Sequence, residues 1–284
     1  MKLINIIAAL LLLISCNSKS TQETKNASNA DTAITAPNAE NVVMDEALTF
    51  GFSNEKGNQI LAFEENTNPK LFSQTIDNQG NISLINFLIT QKGNEGGVNQ
   101  TPFNFDNCSG QVFAISSGKK FNTELSSVLF NEAFSKNRQV ITVKTLEKPQ
   151  LIDNKIKTAI ATERKRKIKS AWKIADLGDN QSAYIVVFSP KKDSVLASLV
   201  IGGKQFVYRD YPAKYDECST WRVDDGGEFS NDAIRILAVF RNQQGELEII
   251  TEWAGAEGAN IEYFKETKGK IEVIKEASRY WGAG

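Results

Sequence analysis

The stretch YDECSTWRVDDGGEFSND, at residues 215–232, gathers several side chains whose types could do chemistry. It carries a thiol, an indole and a run of carboxylates that includes Asp224, Asp225, Glu228 and Asp232. A hard cation such as Ca²⁺ takes roughly six to eight oxygen ligands, which such a run could supply. The spacing lacks the alternating acids and the sixth-position glycine of an EF-hand loop. We therefore predict an acidic β-turn, with Ca²⁺ as the open alternative and no other cofactor.

An internal match supports the prediction of a turn. The segment DDGGEFSND (224–232) aligns with SSGKKFNTE (116–124), which keeps a glycine and the phenylalanine but has no aspartates. The turn can thus form without its acids. Other segments match in the same order, including FSNEKGNQILAF (52–63) with FSPKKDSVLASL (188–199). A duplication of one β unit and a chance resemblance are both compatible with these short, gapped matches.

Carboxylate catalysis is a second possible chemistry. The chain contains no histidine, which removes Ser-His and Cys-His nucleophile activation and most catalytic zinc sites. Glycoside hydrolysis needs only two carboxylates at a set separation, and Asp225 with Glu228 or Glu252 with Glu257 are candidate pairs. Nothing in the sequence marks one of these acids as buried. A histidine-free hydrolase of envelope polysaccharide is therefore the alternative hypothesis, and no catalytic residue is assigned.

Aromatic side chains suggest a third chemistry, which is binding. All tryptophans lie in the second half of the chain, at Trp172, Trp221, Trp253 and Trp281. Trp253 opens the glycine-punctuated segment WAGAEGAN, and loops of this kind often carry binding residues. An indole can stack on a sugar ring, although many indoles only fill cores. We predict binding residues at Trp221, Trp253, Glu257 and Asn260.

The amino-terminal segment MKLINIIAALLLLISC carries a targeting signal. Its apolar run is shorter than the ~20 residues of a transmembrane helix and is typical of a secretion signal. The junction Leu13-Ile14-Ser15-Cys16 resembles the lipobox of bacterial lipoproteins. The resemblance covers residues 1–16 alone. It implies cleavage before Cys16, whose sulfur receives diacylglycerol and whose new amino group is acylated.

The same resemblance implies a place in the bacterial cell envelope, anchored to a membrane through the amino-terminal lipid. Asn17 and Ser18 follow without an early acidic cluster, which favours the periplasmic face of the outer membrane. Residues 16–43 are polar and nearly free of bulky apolar side chains, so we predict a disordered tether after the signal peptide at 1–15. A first β unit is expected at 44–150, and a helix with a second β unit at 151–284.

With Cys16 lipidated, Cys108 and Cys218 are the cysteines that remain. An even pair in an exported protein predicts a disulfide, and free thiols are the alternative. A loop of this length would contribute about 4 to 5 kcal/mol in the chain-entropy model.

Short β-branched and aromatic runs separated by turn residues predict a mainly β protein with antiparallel sheets, sandwich-like or barrel-like. In the segment 246–253, Leu247, Ile249, Thr251 and Trp253 alternate with a second set that contains three glutamates. This period of two predicts one buried face and one solvated face. One helix is expected near 151–166, with Asp153 as its cap.

Charge limits the possible partners. Lysine and arginine total 33 and aspartate and glutamate total 34, which is not the basic balance of a nucleic-acid-binding domain. The sequence therefore predicts a membrane-anchored binding module of the cell envelope. Its expected ligand is an envelope protein, a wall glycan, or an exported toxin or hydrolase that it neutralises.

Overall fold

The structure is a computed structural model that describes residues 47–116, 120–203, 205–221 and 225–282. Cys16 and the predicted signal peptide and tether lie outside these ranges. Among the described residues, every strand pairing is antiparallel. The predicted fold class, a mainly β protein of antiparallel sheets, is confirmed. Within the described part of the chain, no helix combines the length and the apolar character needed to cross a membrane.

The first six strands close into a barrel with the order β1-β2-β5-β4-β3-β6. Alternate side chains of these strands fill its interior, where Phe72, Phe113 and Leu129 are buried together. Two 3-10 turns, Pro69–Leu71 and Pro102–Asn107, lie between strands. The barrel strands are β1 (Leu48–Ser53), β2 (Gln59–Ala62), β3 (Phe72–Ile76), β4 (Ile82–Gln91), β5 (Gly110–Ile115) and β6 (Ser126–Asn131).

Two five-stranded sheets hold the rest of the chain. The middle sheet has the order β16-β15-β14-β13-β7 and the outer sheet the order β12-β11-β10-β9-β8. The middle sheet comprises β7 (Arg138–Val140), β13 (Ile234–Asn242), β14 (Leu247–Ala254), β15 (Gly258–Thr267) and β16 (Lys270–Tyr280). The outer sheet comprises β8 (Lys144–Leu151), β9 (Ile168–Asp176), β10 (Ser182–Lys191), β11 (Ser194–Gly202) and β12 (Phe206–Lys214).

The middle sheet is buried on both faces. One face shares a core with the barrel, in which Phe240 and Ile250 pack with Phe130 of β6. The opposite face shares a core with the outer sheet, in which Ile249 packs with Leu199 of β11. The prediction that one face of β14 is solvated is therefore wrong, because the barrel covers that face. Its glutamates Glu248 and Glu252 are 2% and 0% exposed, respectively.

The predicted helix is confirmed at Asn154–Arg164, between β8 and β9. The Asp153 carboxylate caps it by accepting a hydrogen bond from the Lys155 amide at 2.7 Å. Ile160 is fully buried and packs on the face of the outer sheet that points away from the middle sheet, beside Val186 and Val200. A second helix, Glu132–Lys136, follows β6 directly and carries Phe134 into the core shared by the barrel and the middle sheet.

The matched segments of the two halves share one feature of structure. Residues 52–63 and 188–199 each contain an antiparallel hairpin, β1–β2 and β10–β11. The strands that follow pair differently, because β3 pairs with β4 and β6 whereas β12 pairs with β11. The strands β7 and β8, which end at Val140 and Leu151, pair with β13 and β9 of the second half.

Candidate binding cleft

The segment between β14 and β15 is a tight turn that presses against β16. The Gly255 amide donates to the Gly258 carbonyl at 2.7 Å and closes the turn. A Cβ on Gly258 would lie 2.3 Å from the Arg279 carbonyl oxygen, so only glycine permits this approach of β15 to β16. The turn and the end of β16 thereby form two walls of a depression.

This depression, which we call the Trp253 cleft, has a volume of about 310 Å³. All four residues predicted to bind from the sequence line it: Trp221, Trp253, Glu257 and Asn260. Three successive residues of β16 complete the lining, namely Ser278, Arg279 and Tyr280. The loop that carries Trp221 and the strands that carry the other residues are distant in sequence, so the tertiary fold brings them together.

Aromatic packing fixes the two indoles of the cleft. Trp253 meets Tyr211 edge to face with ring centroids 5.0 Å apart, and Trp221 meets Phe229 in the same way at 5.3 Å. The Trp221 indole nitrogen also donates to the Tyr211 carbonyl at 2.9 Å. Both tryptophans stay partly exposed, so each presents part of its ring to the cleft. A rigid aromatic surface of this kind loses little entropy when a ligand packs on it.

The polar groups of the cleft stand on hydrogen-bonded backbone of β15, β16 and the turn before β15. Ser278 donates through its hydroxyl to the Asn260 side-chain oxygen at 3.3 Å across β15 and β16. Trp281 stabilises the turn through two hydrogen bonds. Its amide donates to the Glu257 carbonyl at 2.9 Å, and its indole nitrogen donates to the Ala256 carbonyl at 3.1 Å. Asn260, Glu257 and Ser278 are exposed and have hydrogen-bonding capacity to offer a ligand.

Trp221 also lines a second depression, of about 240 Å³. Its walls include Trp172, Tyr215 and Glu228. Aromatic side chains thus line both depressions that share Trp221, an arrangement suited to a ligand longer than one ring.

The acidic stretch beside Trp221 forms a turn around Asp225. One oxygen of the Asp225 carboxylate accepts from the amides of Thr220 and Gly227 at 2.8 Å, and the other accepts from the Trp221 amide. Gly226 and Gly227 have φ angles of 60° and 73°, which favour glycine. Asp225 therefore supports the loop that positions Trp221.

The remaining acids of the stretch are placed as follows. Asp232 accepts a hydrogen bond from the Ser230 hydroxyl, and Glu228 is exposed. Asp224 lies outside the described residues. Among the residues that the structure describes, no group of three or more His, Cys, Asp or Glu side chains is arranged to hold a metal ion.

The acids considered for hydrolysis have different surroundings. Glu252 accepts a hydrogen bond from the Ser126 amide of the barrel at 2.9 Å and lies 2.9 Å from the Arg235 guanidinium. Glu257 instead lines the Trp253 cleft. Asp225 uses both oxygens on backbone amides, as described above.

Sequence reasoning missed a set of buried ion pairs on the middle sheet. Arg138 donates to both oxygens of Glu248, and the Tyr263 hydroxyl donates to Glu248 at 2.8 Å. Burial opposes the charge on Arg138, but the hydrogen bond to Glu248 and the charges of Tyr263 and Glu248 together outweigh it, so the pKa of Arg138 is raised. Burial, followed by the charge of Glu248, raises the pKa of Tyr263. Only the alternation in β14 carried a signal, and the sequence does not show what covers that face.

The structure also contradicts the predicted disulfide between Cys108 and Cys218. No disulfide joins the two sulfurs. Cys108 is buried between the barrel and the turn at Pro102–Asn107, where it packs with Phe52 and Val112. Cys218 is exposed in the loop after β12. Burial raises the pKa of the Cys108 thiol.

No family model, curated protein or solved structure matches this chain.

Proposed function

We propose that this protein is a lipid-anchored component of the bacterial cell envelope that binds a glycan in the Trp253 cleft without cleaving it. The observation that carries the proposal is the convergence of Trp221, Trp253 and Tyr280 with Asn260 and Glu257 on one depression. Ligand sites combine a largely apolar or aromatic lining with a few polar groups that set orientation. Sugars match such a lining because their rings have an apolar face and a rim of hydroxyl groups.

The length of the ligand follows from the second depression. Trp221 is common to both depressions, and Trp172 and Tyr215 extend the aromatic lining away from Trp253. An oligosaccharide can use successive aromatic side chains for successive rings. We therefore favour a chain of sugars over a single monosaccharide.

Binding is favoured over hydrolysis by the placement of the carboxylates. Glycoside hydrolysis needs an acid and a second carboxylate on opposite sides of the scissile bond. Among the described residues, Glu257 is the acid that lines the Trp253 cleft, and Glu228 lines the separate second depression. Glu252 is turned toward the barrel. The predicted hydrolase remains the second candidate, and release of shorter sugars from the ligand would be its signature.

The test is a titration of the full-length protein in detergent with an N-acetylglucosamine tetrasaccharide. Tryptophan fluorescence measures the binding. Asn260→Ala removes a hydrogen-bonding group from the cleft and should weaken binding roughly fivefold or more. Asn86→Ala is the matched control, because Asn86 is likewise exposed and hydrogen-bonded to a serine across two strands, Ser116 at 2.8 Å. Its affinity should equal that of wild type.

Three results would contradict the proposal. Absence of any fluorescence change at millimolar tetrasaccharide would show that the ligand is not this glycan. An equal loss of glycan affinity in both variants would show that the Trp253 cleft is not the binding site. Appearance of shorter sugars in a chromatogram of the mixture would establish the hydrolase instead.

A further inference from the structure

A third and larger depression, of about 600 Å³, lies where the barrel and the middle sheet meet. We call it the arginine cleft, because Arg235 of β13 and Arg279 of β16 line it. Trp281 and Phe103 supply aromatic surface, and Phe103 is 82% exposed. Of these residues, the sequence analysis named only Trp281, and the linings of this cleft and of the Trp253 cleft share Arg279.

Arg279 is a buried charge without a carboxylate of its own. Arg279 is only 3% exposed, and its Nε donates a hydrogen bond to the Gln100 carbonyl at 2.9 Å. Among the described residues, its Nη1 has no hydrogen-bond partner and no acid lies within ion-pair distance. Burial lowers the pKa of Arg279 to about 10, while the charge of Glu252 raises it and that of Arg235 lowers it. A guanidinium in this setting is short of negative charge.

Arg235 pairs with the buried acid Glu252. Its Nη2 lies 2.9 Å from Oε1 of Glu252, and its Nε has no hydrogen-bond partner within the described ranges. The other oxygen of Glu252 accepts from the Ser126 amide at 2.9 Å. The buried carboxylate therefore pairs with Arg235, and among the described residues the charge of Arg279 has no ion-pair partner. An uncompensated charge in a protein interior is costly unless a ligand or solvent compensates it.

We propose that the arginine cleft binds the carboxylate of a small organic monoanion, whose apolar body lies against Trp281 and Phe103. The planar guanidinium matches a carboxylate in geometry and charge, and its hydrogen bonds to an anion are stronger than those to a neutral group. Thr101 and Thr123 of the same lining add hydroxyl donors.

The charge of the lining selects a monoanion over a polyanion. Exposed Glu55 and Glu124 also line the cleft, so a ligand with several negative charges meets repulsion. Glu252 is paired with Arg235, so the positive charge of Arg279 is left for one carboxylate. The two exposed glutamates are solvated by water, which weakens their effect on this attraction. Inorganic phosphate, which is largely doubly charged above pH 7, matches this single charge less well.

The test compares two probes that differ only in charge, N-acetyl-phenylalaninate and N-acetyl-phenylalaninamide, by calorimetric titration of the full-length protein. The carboxylate should bind roughly tenfold or more tightly than the amide, because the amide loses the charge-assisted hydrogen bonds. Arg235→Gln should abolish the preference. Because loss of Arg235 leaves Glu252 buried and unpaired, this variant can fail to fold, and a second variant is needed.

Glu124→Gln is that second variant, since Glu124 is exposed and its change leaves the core intact. Removing its repulsion should tighten carboxylate binding about twofold to threefold, the size expected for one charge several ångströms away in water. Glu272→Gln, at the opposite end of β16, is the matched control and should leave the affinity unchanged. Equal affinity for the two probes, no binding at millimolar carboxylate, or tighter binding of inorganic phosphate would each overturn the proposal. An unchanged affinity of Glu124→Gln would do so as well.

Discussion

At the scale of single residues, the position of a charge decides its contribution more than its partner does. Arg138 and Glu248 meet with side chains 15% and 2% exposed, and Tyr263 completes their hydrogen bonding. Lys214 and Asp193 meet at 3.8 Å with side chains 82% and 66% exposed. Water already stabilises the exposed charges, so their pairing adds little. The buried pair is different, because either member alone would face an apolar core.

We therefore expect Arg138→Ala to lower the free energy of unfolding by about 3 to 5 kcal/mol, the cost of leaving a buried carboxylate without its partner. The matched control Lys214→Ala should change it by less than about 1 kcal/mol. Urea denaturation followed by circular dichroism measures both. Similar losses in the two variants would show that Glu248 is solvated in solution.

The thiols give a second prediction at this scale. The thiolate is the reactive form of cysteine, and Cys108 is both shielded and held protonated by burial. In the folded protein at pH 8, a maleimide should modify exposed Cys218 within minutes and leave Cys108 intact. Both should react in guanidinium without any reductant. If mass mapping finds neither labelled until a reductant is added, the disulfide predicted from the sequence exists.

At the scale of elements, the approach of β15 to β16 forms the Trp253 cleft. Gly258 and Gly255 lie in the same turn but differ in the space around them. A Cβ on Gly258 would meet the Arg279 carbonyl oxygen at 2.3 Å, whereas the nearest atom to a Cβ on Gly255 is 3.5 Å away.

Gly258→Ala should cost about 1 to 3 kcal/mol of stability, as overpacking against backbone does, and should weaken glycan binding because β16 must move. Gly255→Ala should keep the stability near that of wild type, because its added Cβ meets no atom closer than 3.5 Å. Thermal melts and the tetrasaccharide titration report the two effects separately. Wild-type melting of Gly258→Ala would mean that β15 and β16 are farther apart than described.

At the scale of the whole molecule, the middle sheet depends on both of its neighbours. Its core with the barrel contains Phe130, Phe134 and Phe240, with Phe134 and Phe240 rings 5.3 Å apart. A chain without the barrel would expose this apolar face together with Glu248 and Glu252.

The fragment 132–284 should therefore lack a cooperative thermal transition and aggregate at concentrations where the full-length chain is monodisperse. Calorimetry and light scattering test this. A sharp transition in the fragment would establish the second half as an independent folding unit.

The anchor gives the second prediction at this scale. Several acyl chains on Cys16 would hold the protein on a membrane, since each buried CH₂ contributes ~0.8 kcal/mol. Cys16→Ser should release the chain into the soluble fraction or leave an unprocessed precursor. Membrane fractionation with mass measurement distinguishes these from wild type, and a processed, membrane-bound variant would contradict the lipobox resemblance.

Local patterns in the sequence determined the elements. Short β-branched and aromatic runs bounded by turn residues predicted the antiparallel β class, although β9 was not predicted. Asp153 before an apolar stripe predicted the helix that it caps. The residues chosen around WAGAEGAN meet in one cleft because a turn between adjacent strands is itself local.

Only the tertiary structure decided which surfaces are buried. The alternation in β14 separates two faces, but it cannot show that the barrel covers the glutamate face. That depends on contacts between residues far apart, such as Arg138 with Glu248 and Ser126 with Glu252. The same long-range packing left Cys108 buried away from Cys218 and placed two arginines beside one acid. A charge is exposed or buried according to what packs on it, and side chains more than a hundred residues away determine that packing.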